Sequence, residues 1–312
     1  MGSITIGIFG ENPEGRQHAA NALAKKGSAE DISVYQTVYS GKIISVVEPT
    51  KYPEKVATLA YSAYLSDYCV VLADAMTPAL GEIIVTLDLL GKKHGCIISS
   101  LDLKPMTKGT NLENYGQFES VDAAREKIYA FEPERDASAP VFGSIDHSFE
   151  VKGVGSILLG FLHSGKISVH DKLKVHPSGK ELEVRSIQMH DEDVKETNAG
   201  DRFGLAIRLL TSKDVARGDI VTRIENNLRT GKELDVNIQL SKFAREPLKN
   251  GEQIHAFHFL EDSPCKWSGE EIAGGKDGKG KLIFDKPFSF KTEDPILVVR
   301  LDAKGLRVIG KV

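Results

Sequence analysis

The chain has 312 residues, 41% of them hydrophobic and 27% charged, enough to bury a large core and divide into two or three domains. Its formal net charge of −4 excludes a coat of basic charge, so any nucleic-acid contact has to come from a local patch and DNA is not an expected partner. No apolar run reaches transmembrane length and no charged-then-apolar leader opens the chain, so a cytoplasmic protein without a membrane partner is expected; Cys69, Cys96 and Cys265 have no metal-ligand spacing and read as reduced, buried thiols. The first element is a buried strand (Ile4, Ile6, Ile8, Phe9) running into Gly10. Four residues follow, then Gly15, and a helix is expected from Arg16 to Lys26. That is the frame of a phosphate-binding loop with its chemistry removed. Arg16 and Gln17 stand where such a loop carries Lys and Ser or Thr, so the compact cation and the magnesium-ligating hydroxyl are both missing. Pro13 deletes an amide donor from the anion cradle. Glu11 and Glu14 put carboxylates at the rim, each repelling a phosphate by roughly 1 kcal/mol when hydrated at about 4 Å, and by about 4 kcal/mol at an effective dielectric near 20. GTP and magnesium are therefore expected to bind weakly or not at all. A strand, a glycine turn and a helix at this spacing can also arise without any nucleotide-binding ancestry.

Further along, Ile43 to Val47, Tyr68 to Ala73 and Gly95 to Ser99 are short apolar runs of the buried-strand type, while Pro53 to Ser66, Pro78 to Lys93 and Val121 to Phe131 carry helical periodicity. Gly27 and Gly95 are expected to stop two helices, and Ser120 to cap the last. The alternation points to a mostly parallel sheet covered by helices over residues 1–136. This segment carries 13 basic and 18 acidic residues against 27 and 26 in the remainder, the wrong sign for a phosphate-binding domain. Glu132 to Pro140 is polar and Pro-bracketed, a linker. The period then changes. Short alternating segments with turns at Lys152-Gly153, Ser164-Gly165, Ser178-Gly179 and Ala199-Gly200-Asp201 predict an all-β barrel over residues 137–228. A second boundary is expected near Glu225 to Gly231, followed over residues 229–312 by another small barrel with strands at Leu234 to Leu240, Gln253 to Phe259, Lys281 to Phe284, Ile296 to Leu301 and Leu306 to Val312. Gly274 to Lys281 reads either as a basic finger for phosphate or as a solvated hairpin loop. His255 and His258, three apart on a strand, fall on opposite faces, which does not suit a shared metal.

An α/β domain on a phosphate-loop frame followed by two β-barrel domains resembles the translational GTPases of the EF-Tu and SelB family. The second domain carries the resemblance. Ile145 to Gly160 (Ile-Asp-His-Ser-Phe-Glu-Val-Lys-Gly-Val-Gly-Ser-Ile-Leu-Leu-Gly), Ser164 to Asp171, Val184 to Gln188, Ala199 to Ala206 and Arg217 to Ile220 follow that family's barrel in order and spacing, and within the family the chain looks like the archaeal SelB-like paralogues grouped as EF-Pyl. The resemblance implies a degenerate GTPase-like parallel-sheet domain, because every nucleotide element has drifted. Where the family has Asp-x-Pro-Gly-His, this chain has Glu48-Pro49-Thr50-Lys51-Tyr52; where guanine is read by Asn-Lys-x-Asp, it has Ser99-Ser100-Leu101-Asp102. Asp102 could still accept from a base or could be a turn or cap residue. The stretch from Gln17 to Glu48 is too short for the family's full first switch, so a GTP-driven switch is not expected.

What the resemblance leaves is the barrel surface that holds the aminoacylated 3′ end of tRNA. Asp146, His147, Phe149, Val151 and Ile157 fall where the family lines the terminal-adenosine and aminoacyl pocket, Glu196 where an acidic residue stands beside the adenine, and Arg217 where SelB has its aminoacyl-side cation. An apolar slot with a few hydrogen bonds suits a stacked, single-stranded end; Phe149, Val151 and Ile157 could equally be packing. Val154 and Leu159 replace an Arg and a Thr, making the pocket less polar. The expected function is a SelB-like elongation-factor paralogue that binds aminoacyl-tRNA, with the ribosome a further candidate partner, without GTP hydrolysis and with no catalytic residue. The alternatives are a guanine-nucleotide binder working in a modified mode through Asp102 and Arg16, and a protein-interaction scaffold with neither ligand.

Overall fold

In the computed structural model residues 2–136, 138–190, 192–223 and 228–312 are described. The first layer runs β1 (Ser3–Phe9), α1 (Pro13–Leu23), β2 (Lys25–Ala29), β3 (Ser33–Tyr39), β4 (Lys42–Glu48), α2 (Val56–Leu65), β5 (Tyr68–Leu72), α3 (Pro78–Leu89), β6 (Gly95–Ile98), α4 (Lys104–Thr107), β7 (Gly116–Phe118) and α5 (Val121–Ala130). Its sheet has the order β2-β3-β4-β1-β5-β6-β7. Strands β4, β1, β5, β6 and β7 are parallel, and β2 and β3 add an antiparallel edge. Helices α1 and α5 cover one face over Ile4, Ile6 and Ile8, while α2 and α3 cover the other.

Three of the expected helices shift, and the one placed at Pro53 to Ser66 begins three residues later, at Val56, after a turn over residues 51–54. The helix placed at Arg16 to Lys26 begins three residues earlier, because Asn12 caps it (Oδ1 accepts from Glu14 N at 3.0 Å) and Pro13 presets the first helical residue. It also ends earlier, and Lys25, Lys26 and Gly27 belong to β2, so Gly27 stops nothing. The helix opened by Pro78 ends at Leu89 with Gly91 in the left-handed region (φ 67°). Gly95 instead starts β6, where a Cβ would come within 2.3 Å of Cys69 O and of the Tyr115 ring. Ser120 caps α5 as expected, accepting from Ala123 N at 3.2 Å.

The first barrel consists of β8 (Phe142–Val151), β9 (Gly155–Ser164), β10 (Lys166–Ser168), β11 (Lys172–His176), β12 (Glu181–Met189), β13 (Glu192–Val194), β14 (Glu196–Asn198), β15 (Arg202–Arg208) and β16 (Ile220–Thr222). The order β11-β16-β8-β9-β15-β12 is closed by β11 pairing with β12, and β10 with β14 forms a separate ribbon. The expected turn glycines Gly153, Gly165, Gly179 and Gly200 all have positive φ. The second barrel is a closed ring of β17 (Leu228–Leu240), β20 (Asp277–Lys291), β19 (Glu261–Gly269), β18 (Gln253–His258), β21 (Leu297–Val299) and β22 (Val308–Lys311). The segment read as a finger or loop, Gly274 to Lys281, is mostly the start of β20: Asp277 to Lys281 pair with β17. Its glycines let strands close up, since a Cβ on Gly280 would sit 2.6 Å from Ser268 O and from Trp267. Ala137 in the expected linker and residues 224–227 at the expected second boundary lie outside the described residues.

Helix α2 (Val-Ala-Thr-Leu-Ala-Tyr-Ser-Ala-Tyr-Leu) is apolar all round because it is covered on both sides. One side packs on the sheet, the other joins Phe257, Phe259, Leu297, Val299 and Val308 of the second barrel in a single core. Tyr64 Oη lies 2.6 Å from Phe257 O and accepts from Leu297 N at 3.1 Å. Arg307 of the barrel pairs with buried Glu82 of α3 and donates to Pro53 O at 2.8 Å.

Candidate functional site

The early start of α1 decides the fate of the loop frame. Once Pro13 opens the helix, two amides of the would-be anion cradle are spoken for, Arg16 N by Asn12 O at 3.1 Å and Glu14 N by Asn12 Oδ1 at 3.0 Å. Side chains of a helix lean toward its N-terminus, so Arg16 is led back over the loop. There it is completely buried. Nη1 donates to Gly10 O at 2.6 Å and Glu11 O at 3.1 Å, Nη2 to Pro49 O at 2.9 Å and Tyr52 O at 2.8 Å, and Nε to Glu48 Oε2 at 3.3 Å. All five guanidinium donors are engaged. Acceptors, not donors, line this cradle, and the charge inside is the protein's own. Burial pushes the Arg16 guanidinium down from its ordinary value and Glu48 pulls it up. Tyr35, also fully buried, lies 3.5 Å from the other Glu48 oxygen, and burial and that carboxylate push its phenol up to about 12.

The remaining nucleotide-frame positions do not converge. Glu48 and Tyr52 are buried around Arg16, whereas Gln17 and Lys51 are exposed. A Cβ on Gly15 would meet only Asn12 at 3.7 Å, so nothing in the fold requires glycine there; at Gly10 it would press on Leu72 at 3.1 Å. Ser99 Oγ donates to Ala73 O at 2.6 Å, and exposed Asp102 accepts from Lys104 N at 3.1 Å as a turn residue. β2 follows α1 after one residue, which leaves no segment there for a first switch.

On the barrel, β8 and β9 alternate, with Leu158 buried and Ile157 and Leu159 facing outward. Phe149 is paired with Ile157, and Phe149, Val151 and Val154 are 41, 37 and 40% exposed, so they are a shelf rather than core. Across the sheet, Gly204 lies opposite Leu159 and Ala206 opposite Ile157. These two small residues leave room for a cavity of ≈ 260 Å³, walled by the shelf and reached by Gln36 of β3, Gln188, His190 and Arg202. Its size is just under the roughly 300–1,000 Å³ usual for small-molecule sites, enough for one compact group. Glu196 is elsewhere, on the β10–β14 ribbon, pairing with Lys166 at 3.0 Å.

Asp146, His147 and Arg217 form a corner beside the cavity where three units meet. Asp146 is buried; its Oδ2 is 2.9 Å from His147 Nδ1 and 3.8 Å from Arg202 Nη2, and its Oδ1 is 3.6 Å from Arg217 Nη2. The first domain closes the corner. Glu30 Oε2 stands 2.7 Å from His147 Nε2, Asp31 takes Arg217 Nη1 at 2.7 and 2.8 Å, and Ser28 Oγ is 3.4 Å from Arg202 Nη2. The Arg217 guanidinium lies 4.9 Å over the Tyr61 ring, and Tyr61 Oη donates to Asp262 of the second barrel at 2.6 Å. Burial works against ionisation of Asp146, but His147 and the two arginines hold its carboxyl below its ordinary value. The Asp146 and Glu30 carboxylates raise His147 to about 9, against burial. Sequence reasoning missed Glu30, Asp31, Gln36 and Arg202. Arg202 could have been found from the period-two alternation along β15, which sends Phe203 and Leu205 inward and Arg202, Gly204 and Ala206 outward.

A parallel-sheet domain with a phosphate-loop frame, set on two barrels of this order, defines a class, and the chain belongs to it: the translational GTPase family of EF-Tu and SelB, as a SelB-like member. The family described as elongation factor Tu domain 2 matches residues 155–222. An uncharacterized protein of Methanocaldococcus jannaschii is 34% identical over 316 residues, covering 99% of both chains. The selenocysteine-specific elongation factor of the same organism is 24% identical over 370 residues, covering 99% of this chain and 79% of its own. The apo structure of translation elongation factor SelB from Methanococcus maripaludis superposes with a TM-score of 0.84 at 22% identity, covering 100% of this chain and 79% of that one.

Proposed function

We propose that this chain binds the aminoacylated 3′ end of a tRNA on its first barrel and does so without a guanine-nucleotide cycle. The observation that carries the reading is the exposed apolar shelf of Phe149, Val151 and Val154 over a cavity whose floor is made by Gly204 and Ala206. An exposed phenylalanine beside a compact slot is what a stacked terminal base needs, each stack being worth roughly 1–3 kcal/mol. Loss of the nucleotide cycle is supported by the buried Arg16 guanidinium, which a phosphate could displace only by breaking its five bonds. Asp146, His147 and Arg217 border the slot, whereas Glu196 stands outside it, paired with Lys166 on the β10–β14 ribbon.

The test is protection of an aminoacyl-tRNA ester from hydrolysis, with no nucleotide added. The wild-type chain slows hydrolysis; Ile157→Asp, which puts a charge at the mouth of the slot, abolishes protection while circular dichroism stays native. Protection that survives Ile157→Asp removes the slot from the reading. An absence of protection with every ester leaves the scaffold alternative.

A further inference from the structure

The corner beside the slot is matched in charge but not in hydrogen bonding. Arg202, Arg217 and His147 on the barrel face Asp146 alone on their own domain; Glu30 and Asp31 of the first domain supply the two carboxylates that complete the match. Without the turn that carries them, the barrel would present a net positive corner and draw an anion. With it, the charge is compensated, yet Arg202 Nε and Arg217 Nε and Nη2 are buried donors without a hydrogen-bond partner among the described residues. Arg202 also lines the slot. A buried donor lacking an acceptor is costly, and a neutral oxygen, such as an ester or amide carbonyl or a ribose hydroxyl, relieves that cost without upsetting the charge match. A carboxylate entering the same place finds the pull of Arg202, Arg217 and His147 already cancelled by Glu30, Asp31 and Asp146, and loses its hydration without a net counter-charge.

We propose that Glu30 and Asp31 are a built-in counter-anion that sets the specificity of the slot: it accepts aminoacyl esters with uncharged side chains, held by a neutral oxygen at Arg202, and rejects those bearing a carboxylate. This rests on the barrel being the aminoacyl site. The experiment uses the full chain and one tRNA body charged in turn with leucine, phenylalanine, aspartate or glutamate. Wild type protects the neutral esters about tenfold or more better than the acidic ones, the factor expected when a carboxylate is dehydrated beside charges that already balance one another. In Glu30→Gln/Asp31→Asn the ratio falls toward one. Equal protection of acidic and neutral esters by wild type overturns the inference and leaves the aminoacyl site standing, as does an unchanged ratio in a natively folded double variant. If no ester is protected, the aminoacyl reading fails. The counter-anion is then decided by titrating acetate against the His147 ring resonances: no saturable shift in wild type with one in the double variant supports it, and a saturable shift in wild type overturns it.

Discussion

Arg16 shows how one substitution changes what a loop can do. Lysine has three donors on a single point and cannot reach Gly10, Glu11, Glu48, Pro49 and Tyr52 together, whereas the arginine fork meets all of them. Arg16→Ala would leave Glu48 buried without its cation and several carbonyls without donors, so we expect a loss of about 3–5 kcal/mol in urea unfolding. A loss below about 1 kcal/mol would mean that water replaces the guanidinium easily. Arg16→Lys with Gln17→Thr restores two letters of the loop but not the two amides that Asn12 has taken, at positions 14 and 16, and GTP turnover is expected to stay absent in a phosphate-release assay. The histidines give stability a pH dependence of two signs. His147, raised from 6.5 to about 9, favours the folded state below pH 6.5, and that contribution is lost as pH rises through about 9. Half-buried His163 and buried His258, at the seam between the barrels, have pKa values pushed down by desolvation; they favour the folded state above pH 6.5 and lose that contribution as pH falls through their lowered values. Denaturation midpoints measured across pH should therefore fall on both sides of neutrality. His147→Gln should flatten the alkaline limb alone; if the acid limb flattens instead, the assignment is wrong.

Elements were legible where burial left a period and hidden where pairing alone makes the strand. Ile43 to Val47, broken only by buried Ser45, and Tyr68 to Leu72 are apolar runs because strands inside this sheet are covered on both faces. β2 reads Lys-Lys-Gly-Ser-Ala and has no such signal; as an edge strand it is defined by its bonds to β3. β19, Glu-Asp-Ser-Pro-Cys-Lys-Trp-Ser-Gly, looks like a loop, yet β18 and β20 pair with it on either side and only Cys265 and Trp267 point into the core. The loop frame was legible too, and Asn12-Pro13 is a readable cap and first-turn pair, but the inward path of Arg16 depends on where Pro49 and Tyr52 lie in space. The same holds for the corner, since Glu30 and Asp31 reach His147 and Arg217 only through the packing of two domains. Close strand approach gives the clearest test at this scale. Gly280→Ala places a methyl 2.6 Å from Ser268 O and from the buried Trp267 ring, and we expect a loss of about 1–3 kcal/mol with a red-shifted tryptophan emission. A neutral result would show that β19 and β20 can spread.

The three units are tied together because helices α2 and α3 share one core with the second barrel, and because Arg307–Glu82, Tyr61–Asp262 and Arg217–Asp31 link the first domain to both barrels. A nucleotide switch needs two arrangements of comparable free energy and a ligand that distinguishes them. Here, separating the first domain from the second barrel would expose the face of α2 that carries Tyr61 and Tyr64, and the place of the discriminating phosphate is taken by Arg16. The fixed arrangement thus has a consequence measurable on the intact chain. A ligand that binds only the folded state stabilises it in proportion to ln(1 + [L]/Kd), about 4 kcal/mol at a thousandfold excess over Kd. At roughly 2–4 °C per kcal/mol, a tight binder would raise the melting temperature by on the order of 10 °C. We expect millimolar GTP or GDP with magnesium to leave the melting curve of the wild-type chain where it lies. The same addition should leave Arg16→Ala unmoved, since removing the guanidinium opens a cradle of carbonyls that repels phosphate. Free guanidinium at low concentration, by contrast, should return part of the stability lost in Arg16→Ala by occupying that cradle, and should do nothing for wild type. A magnesium-dependent rise with GTP in either protein would mean that the loop can rebuild its amide cradle, and the nucleotide-free reading would have to be abandoned.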